Sequence, residues 1–395
     1  MDSIEAPDLA SPRFKVNPYP FYARLRAEAP AYRIRVANLR TWLVTRYDDV
    51  LMVLRDERFA NDWSPRMPWV LRRFAGPLTR HMLNQDPPDH TRLRTLVHKA
   101  FTPRLVERLR ERMQSVCDDL LSAAAPNGRM ELVRGYALPL PLTIIAELLG
   151  ISPEDRLRFH SWSRRSVAVS TGVDFLRAIP TMWLSMRHLR ALFAERRAHP
   201  RDDLVTALVQ AEEAGDKLSE DELLSMVILL LVAGYETTVN LIGSGTLALI
   251  QHPEQRDRLQ QNPTLAEPAI EELLRYCSPL EVASARMTRE EVTIGSATIP
   301  CGELVSVVIG SANHDESQFP DPEALDIARE PNKHLAFGMG AHFCLGAPLA
   351  RLEAQIALTT LFRRFPNLRL AAAPESLRWR KGLIFRGLEQ LRVAF

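Results

Sequence analysis

Cysteine is scarce in this chain: Cys117, Cys277, Cys301 and Cys344 stand far apart, with no CxxC pair. That spacing excludes a disulfide framework and offers no zinc-finger ligand set. An excess of charge of one sign is missing as well. Lys and Arg total 50 against 48 Asp and Glu, so the net charge is +2 and no nucleic-acid partner is expected. The first residues, MDSIEAPDLASPRFKV, have no basic end followed by an apolar run. A signal peptide is therefore not expected, and the cytoplasm is the expected location. There are no repeats, no low-complexity segments and no composition shift that marks a linker.

What is present suits a large soluble core. Hydrophobic residues make up 46% of 395 positions and charged residues 25%, an ordinary globular balance. Helix-start signals recur. Thr102-Pro103 precedes RLVERLRERMQSVCDDLL, and Ser152-Pro153-Glu154-Asp155 opens another helix. Ser219 to Glu222 is a capping box before a long apolar run, which His252-Pro253 ends. That run, Leu223 to Ile250, includes Glu236 and Asn240. A central carboxylate is expensive in a bilayer, so the run predicts a buried core helix and no membrane span. Strand signals are few: Tyr32 to Val36 with Thr41 to Thr45, Val292 to Ile309 in three short pieces, and Leu377 to Phe395. The expectation is one domain over residues 1–395, mainly α with small β-sheets.

The densest signal is His334-Leu-Ala-Phe337-Gly338-Met-Gly340-Ala-His342-Phe-Cys344-Leu-Gly346. A lone cysteine is usually a small buried hydrophobe. Here the surroundings favour an iron ligand. Glycines let backbone approach a flat macrocycle closely. Backbone N–H groups and the N-terminus of the helix that follows (ALARLEAQIALTTLF) favour a thiolate. Phe337 can shield the sulfur from water. This segment resembles the FGxGxHxCxG haem signature of the cytochrome P450 family and matches every fixed position.

The resemblance runs from about residue 15 to the C-terminus and is strongest to soluble bacterial members that hydroxylate natural products. It implies the P450 fold, with haem between the long central helix and the helix of the cysteine loop. It implies Cys344 as the axial ligand of haem b, and Phe337, Gly338, His342 and Gly346 as cofactor-binding residues. Ala233-Gly234-Tyr235-Glu236-Thr237 resembles the acid–alcohol motif of the central helix. Thr237 and Glu236 would then supply the protons that O2 activation needs. Ala233 and Gly234 would leave room beside the ring, with Gly234 letting the helix widen locally; Tyr235 has no assigned role. Taken alone, such a threonine often back-bonds a helix carbonyl. Glu272 and Arg275 resemble the family's ExxR pair, joined by Arg329 in holding the cysteine loop. His90, Arg94, Arg286 and His342 would clamp the haem propionates. The chain has Asn313-His314-Asp315 where bacterial members usually have Asn-Arg-Asp, and Leu325 where they often have Phe.

By the same resemblance, the substrate pocket is lined by residues between Phe59 and Leu83, Phe159 to Met186, Val232, Ala233, Val282, Ala283, Ile384 and Phe385. That lining suits a hydrophobic small molecule. No flavin or nicotinamide fingerprint is present. Electrons are therefore expected from a separate ferredoxin and ferredoxin reductase, with NAD(P)H acting only through them. Arg92, Lys99, Arg104, Lys333 and Arg351 are candidate ferredoxin contacts. A monomeric monooxygenase is expected. A peroxide-driven haem-thiolate enzyme and a non-catalytic haem-binding protein are the alternatives.

Overall fold

In a computed structural model, which describes residues 7–36, 39–66, 79–156, 172–213 and 216–395, the capping signals start helices where the sequence places them. Thr102 Oγ1 accepts from the Leu105 N–H at 3.3 Å, and Pro103 takes the first helical position. At the capping box, Ser219 Oγ accepts from the Glu222 N–H at 3.3 Å, while Glu222 Oε2 accepts from the Ser219 N–H at 2.8 Å. Each bond satisfies a helix-end donor that would otherwise be unpaired. The helix so opened runs unbroken from Glu220 to Gln251. The run after Thr102 departs from expectation. It forms two helices, Pro103–Arg108 and Arg110–Ala124, because the Leu109 N–H turns back to Val106 O and tightens the chain there.

The chain divides into two compact units. The larger comprises residues 1–60, 110–140 and 236–395, and the smaller 61–109 and 141–235. In the larger unit a five-stranded sheet runs in the order Ala31–Val36, Leu39–Val44, Leu304–Val307, Arg286–Thr288, Phe59–Ala60. Leu304–Val307 pairs parallel with Leu39–Val44; the other pairings are antiparallel. Val44, Val50, Phe59, Val305, Ile309 and Phe319 form the core beneath it. A three-stranded sheet (Arg369–Leu370, Arg392–Ala394, Arg129–Glu131) and two small hairpins complete the β structure. One hairpin pairs Arg378–Trp379 with Leu388–Gln390. The helix Ala347–Arg364, which follows the cysteine loop, is buried along much of its length.

The smaller unit is helical, built on Asp89–Ala100, Pro103–Arg108, Leu204–Gln210 and the first half of the central helix. Asp203 ties it locally. It accepts from the Thr206 N–H at 2.7 Å as an N-cap, and it pairs with buried Arg196 at 2.5 Å.

By length and composition the Glu220–Gln251 helix could cross a membrane, and 61% of its most apolar window is buried within the protein. Glu236, Thr238, Asn240, Ser244 and Thr246 are all buried in it. Lipid offers such groups no partner; in the larger unit Arg380 bonds Glu236, and Thr246 bonds Ile242 O of its own helix.

Candidate functional site

The cysteine loop leads from Leu335 into the helix Ala347–Arg364. Its turns need glycine at two points. Gly338 and Gly340 have φ of 67° and 75°, in the left-handed region. At Gly340 a Cβ would also lie 3.0 Å from Leu54 O, so the loop's close approach to that backbone excludes a side chain. The Cys344 N–H donates to Phe337 O at 2.9 Å, folding the two residues onto each other. Cys344 is exposed, Phe337, His342 and Gly346 are half-buried, and Phe343 is 37% exposed. A Cβ at Gly346 would sit 3.9 Å from the Cys344 Sγ. The Arg351 guanidinium lies over the Phe337 ring at 4.4 Å, and the Cys344 sulfur contributes to raising its pKa, after the larger effect of its bond to Glu271.

Two charge networks hold this loop in place. In the first, Glu272 and Arg275 are wholly buried and paired through two bonds of 2.8 Å, and Arg329 Nε reaches Glu272 Oε1 at 3.1 Å. Arg275 also donates to the carbonyls of Asn313, Pro322 and Ala324. Asn313 Oδ1 in turn accepts from the Leu335 N–H at 2.8 Å, two residues before Phe337. The helix spacing of Glu272 and Arg275 brings them to one face; the arriving carbonyls make that face interior. In the second network Glu271 accepts from Arg351 at 2.7 and 2.8 Å and sits 3.1 Å from His334 Nε2. Burial pushes the Glu271 pKa up, but the bonds from Arg351 and His334 outweigh it and hold the carboxyl at about 2.

Nothing in the sequence pointed to Glu271, because its partners lie more than sixty residues away. The Asn313-His314-Asp315 stretch also has more weight than its departure from the family pattern suggested. Besides Asn313, Asp315 accepts from the Tyr47 N–H at 2.7 Å, and His314 is buried and stacked on Tyr19. Arg286 is buried, with Nη1 donating to Val53 O at 2.7 Å.

In the same unit Glu236 is 1% exposed and Thr237 half-buried. Arg380 Nη1, on the C-terminal hairpin, donates to Glu236 Oε2 at 2.5 Å. Sequence reasoning missed this partner, which lies 144 positions away in an unremarkable WRKG stretch. Val282 is buried, Ala283 and Phe385 are half-buried, and Ile384 is 43% exposed. Backbone bonds from Glu281 N and Val282 N to Ile384 O join these two segments, at 2.8 and 3.1 Å.

The smaller unit contains Val232, Ala233 and Gly234, and the helix bearing His90 and Arg94. Ala233 is exposed and Val232 and Gly234 half-buried, in the middle of a helix that is otherwise largely covered. Gly234 does not widen that helix, which stays α-helical through this turn. Its lack of a side chain admits Ile145, whose Cδ1 and Cγ1 would lie 2.9 Å from a Cβ. His90 is buried; burial lowers its pKa, and the charge of Arg94 lowers it further. Of the candidate ferredoxin contacts, Arg92 is bound to Glu222 and Arg351 to Glu271, whereas Lys99, Arg104 and Lys333 are exposed. Part of the expected pocket lining, 67–78 and 159–171, lies outside the described residues, as do the side chains of 172–182.

The family model described as Cytochrome P450 matches residues 9–150 and 185–376. The chain is 48% identical over 405 residues to Cytochrome P450 107B1 of Saccharopolyspora erythraea, covering 100% of this chain and 99% of that one. It is 44% identical to Cytochrome P450 monooxygenase PikC of Streptomyces venezuelae, covering 96% and 91%. Among solved structures, myxobacterial cytochrome P450 CYP267B1 in complex with myristic acid aligns with a TM-score of 0.94 at 43% identity, covering 99% of each chain.

Proposed function

We propose a division of labour for this chain, which belongs to the cytochrome P450 family and is a haem-dependent, O2-using monooxygenase: Cys344 ligates haem b, Glu236 and Thr237 supply protons, and a hydrophobic or amphipathic small molecule is hydroxylated. The observation that carries the reading is Cys344 itself, an exposed thiol on a loop of left-handed glycines at the start of a helix. The residues fit the group. The donor is one soft sulfur beside a helix N-terminus, which favours the thiolate. In the larger unit Arg286 and His342, and in the smaller unit His90 and Arg94, are cationic or donor side chains of a kind suited to carboxylates.

Haem, when bound, supplies the oxidation: with two electrons and two protons, one atom of O2 enters the substrate and the other leaves as water. The protein's residues do the rest. Glu272, Arg275 and Arg329 hold the cysteine loop by fixing Asn313, and Asn313 fixes Leu335. Arg351 lies over the Phe337 ring at the loop and ties it to Glu271. Glu236 passes a proton from Oε1 toward the Thr237 hydroxyl and is then reloaded. Val282, Ala283, Ile384 and Phe385 present the apolar surface that selects the substrate.

The myristic acid bound by CYP267B1 supports a long amphipathic substrate as the first to try. Electrons come from a separate ferredoxin and its reductase, with NAD(P)H used only by those partners, in the cytoplasm. The test is turnover of myristic acid under 18O2 with a ferredoxin, its reductase and NADPH. One labelled oxygen in a hydroxylated product is the expected result. Product that forms only with added peroxide, and carries no label from O2, would overturn the reading.

A further inference from the structure

The C-terminal hairpin meets the central helix at two points one helical turn apart. At Glu236 the contact is Arg380, whose Nη1 bonds Oε2 at 2.5 Å. At Asn240 it is Gly387, where a Cβ would lie 2.0 Å from the Asn240 Oδ1, so the hairpin backbone is pressed against that side chain. The two hairpin residues are themselves joined, Arg380 N donating to Gly387 O at 2.9 Å. Arg380 and Glu236 differ sharply in exposure: the arginine side chain is 25% exposed and the carboxylate 1%. The guanidinium therefore spans from solvent to a buried acid. The other oxygen of that acid, Oε1, is buried with no hydrogen-bond partner, as are both polar atoms of the Asn240 amide. A buried acceptor left so is costly unless water reaches it.

We propose that Arg380 is a latch on Glu236: it fixes Oε2, thereby aims Oε1 along the helix, and by swinging outward admits the water that reloads Glu236 with a proton. Arginine keeps its own proton throughout, so a proton from bulk solvent is relayed through the admitted water, which is left neutral, to Oε1 and from Oε1 toward Thr237, leaving the carboxylate to be reloaded. The segment between the hairpin's two arms carries Ile384 and Phe385, so substrate seated against them bears on the same hairpin that holds the latch. Arg380 is a positioning residue, and the proposal rests on the reading of Glu236 as proton donor.

The test compares Arg380→Gln, Arg380→Lys, Glu236→Gln and the Arg380→Gln/Glu236→Gln double variant as haem-loaded proteins. Three quantities are read: the solvent isotope effect on product formation, the share of electrons lost to hydrogen peroxide, and the melting temperature of the resting protein. Arg380→Gln is expected to lower coupled turnover on the order of tenfold, as misplaced proton donors do. It should also change the isotope effect and raise the peroxide share. Arg380→Lys should recover part of each, and Arg380→Gln should change none of the three quantities further once Glu236→Gln is present. If Glu236→Gln alters isotope effect and peroxide share but Arg380→Gln alters neither, the latch is refuted while the role of Glu236 stands. If Glu236→Gln alters neither, the role of Glu236 fails and the latch with it. An equal drop in melting temperature on both backgrounds, with unchanged isotope effect, makes Arg380 merely structural and likewise refutes the latch.

Discussion

Replacing Glu353 by glutamine isolates the energetic cost of one buried acid. Glu353 lies on the helix Ala347–Arg364, fully buried, facing the central helix near Thr238. Burial pushes its pKa from 4.5 up to about 8, and the nearby Thr238 hydroxyl offsets part of that rise. The native protein therefore holds a proton that the unfolded chain releases between those two values. The contribution of this group to stability is greatest below pH 4.5, falls as pH rises, and levels off once pH has passed about 8. A displacement of this size corresponds to roughly 5 kcal/mol at most, at about 1.4 kcal/mol per unit. Glutamine has nearly the same shape and no proton to lose. Urea unfolding of both proteins across this pH range should show the wild type losing several kcal/mol relative to the variant. Equal slopes for the two proteins would refute the argument, since the acid would then ionise alike in both states.

Two further substitutions test the networks that hold the cysteine loop. Glu272→Gln leaves the wholly buried Arg275 without its counter-charge, so unfolding should cost about 3–5 kcal/mol less, read by urea melts, and haem retention should fall with it. Glu271→Gln removes a carboxylate held at about 2. Wild-type stability from this group is present above pH 4.5 and lost as pH falls toward 2, a step the variant should lack. Because Arg351 is 37% exposed, solvent screening limits that step to about 1 kcal/mol, read in acid titrations of the melting temperature.

Some of this molecule was legible in its sequence because the causes are local. Ser219 and Glu222 cap each other within one turn, so spacing alone locates that pair, whereas Glu272 and Arg275 share a helix face and were singled out by the family resemblance. The FGxGxHxCxG segment was readable through its resemblance to the family signature, and its first two glycines stand at left-handed positions. Interactions across long sequence separations were not legible. Arg380 finds Glu236, and Lys15 and Tyr22 find the buried carboxylate of Glu281, only once the fold is complete. Gly234 shows the same limit: its position was evident, but its reason, the side chain of Ile145, is a neighbour from another helix. The break at Leu109 depends on a single backbone bond within a run of good helix formers, which periodicity alone does not report.

The central claim is that Cys344 is the sulfur that holds the haem. The ferrous–carbon monoxide difference spectrum of the purified protein, beside that of Cys344→Ser, tests it most directly. The account predicts a strongly red-shifted Soret band in the wild type that is absent in the variant. A well-folded, haem-loaded wild type without that band, or a variant that keeps it, would contradict the account.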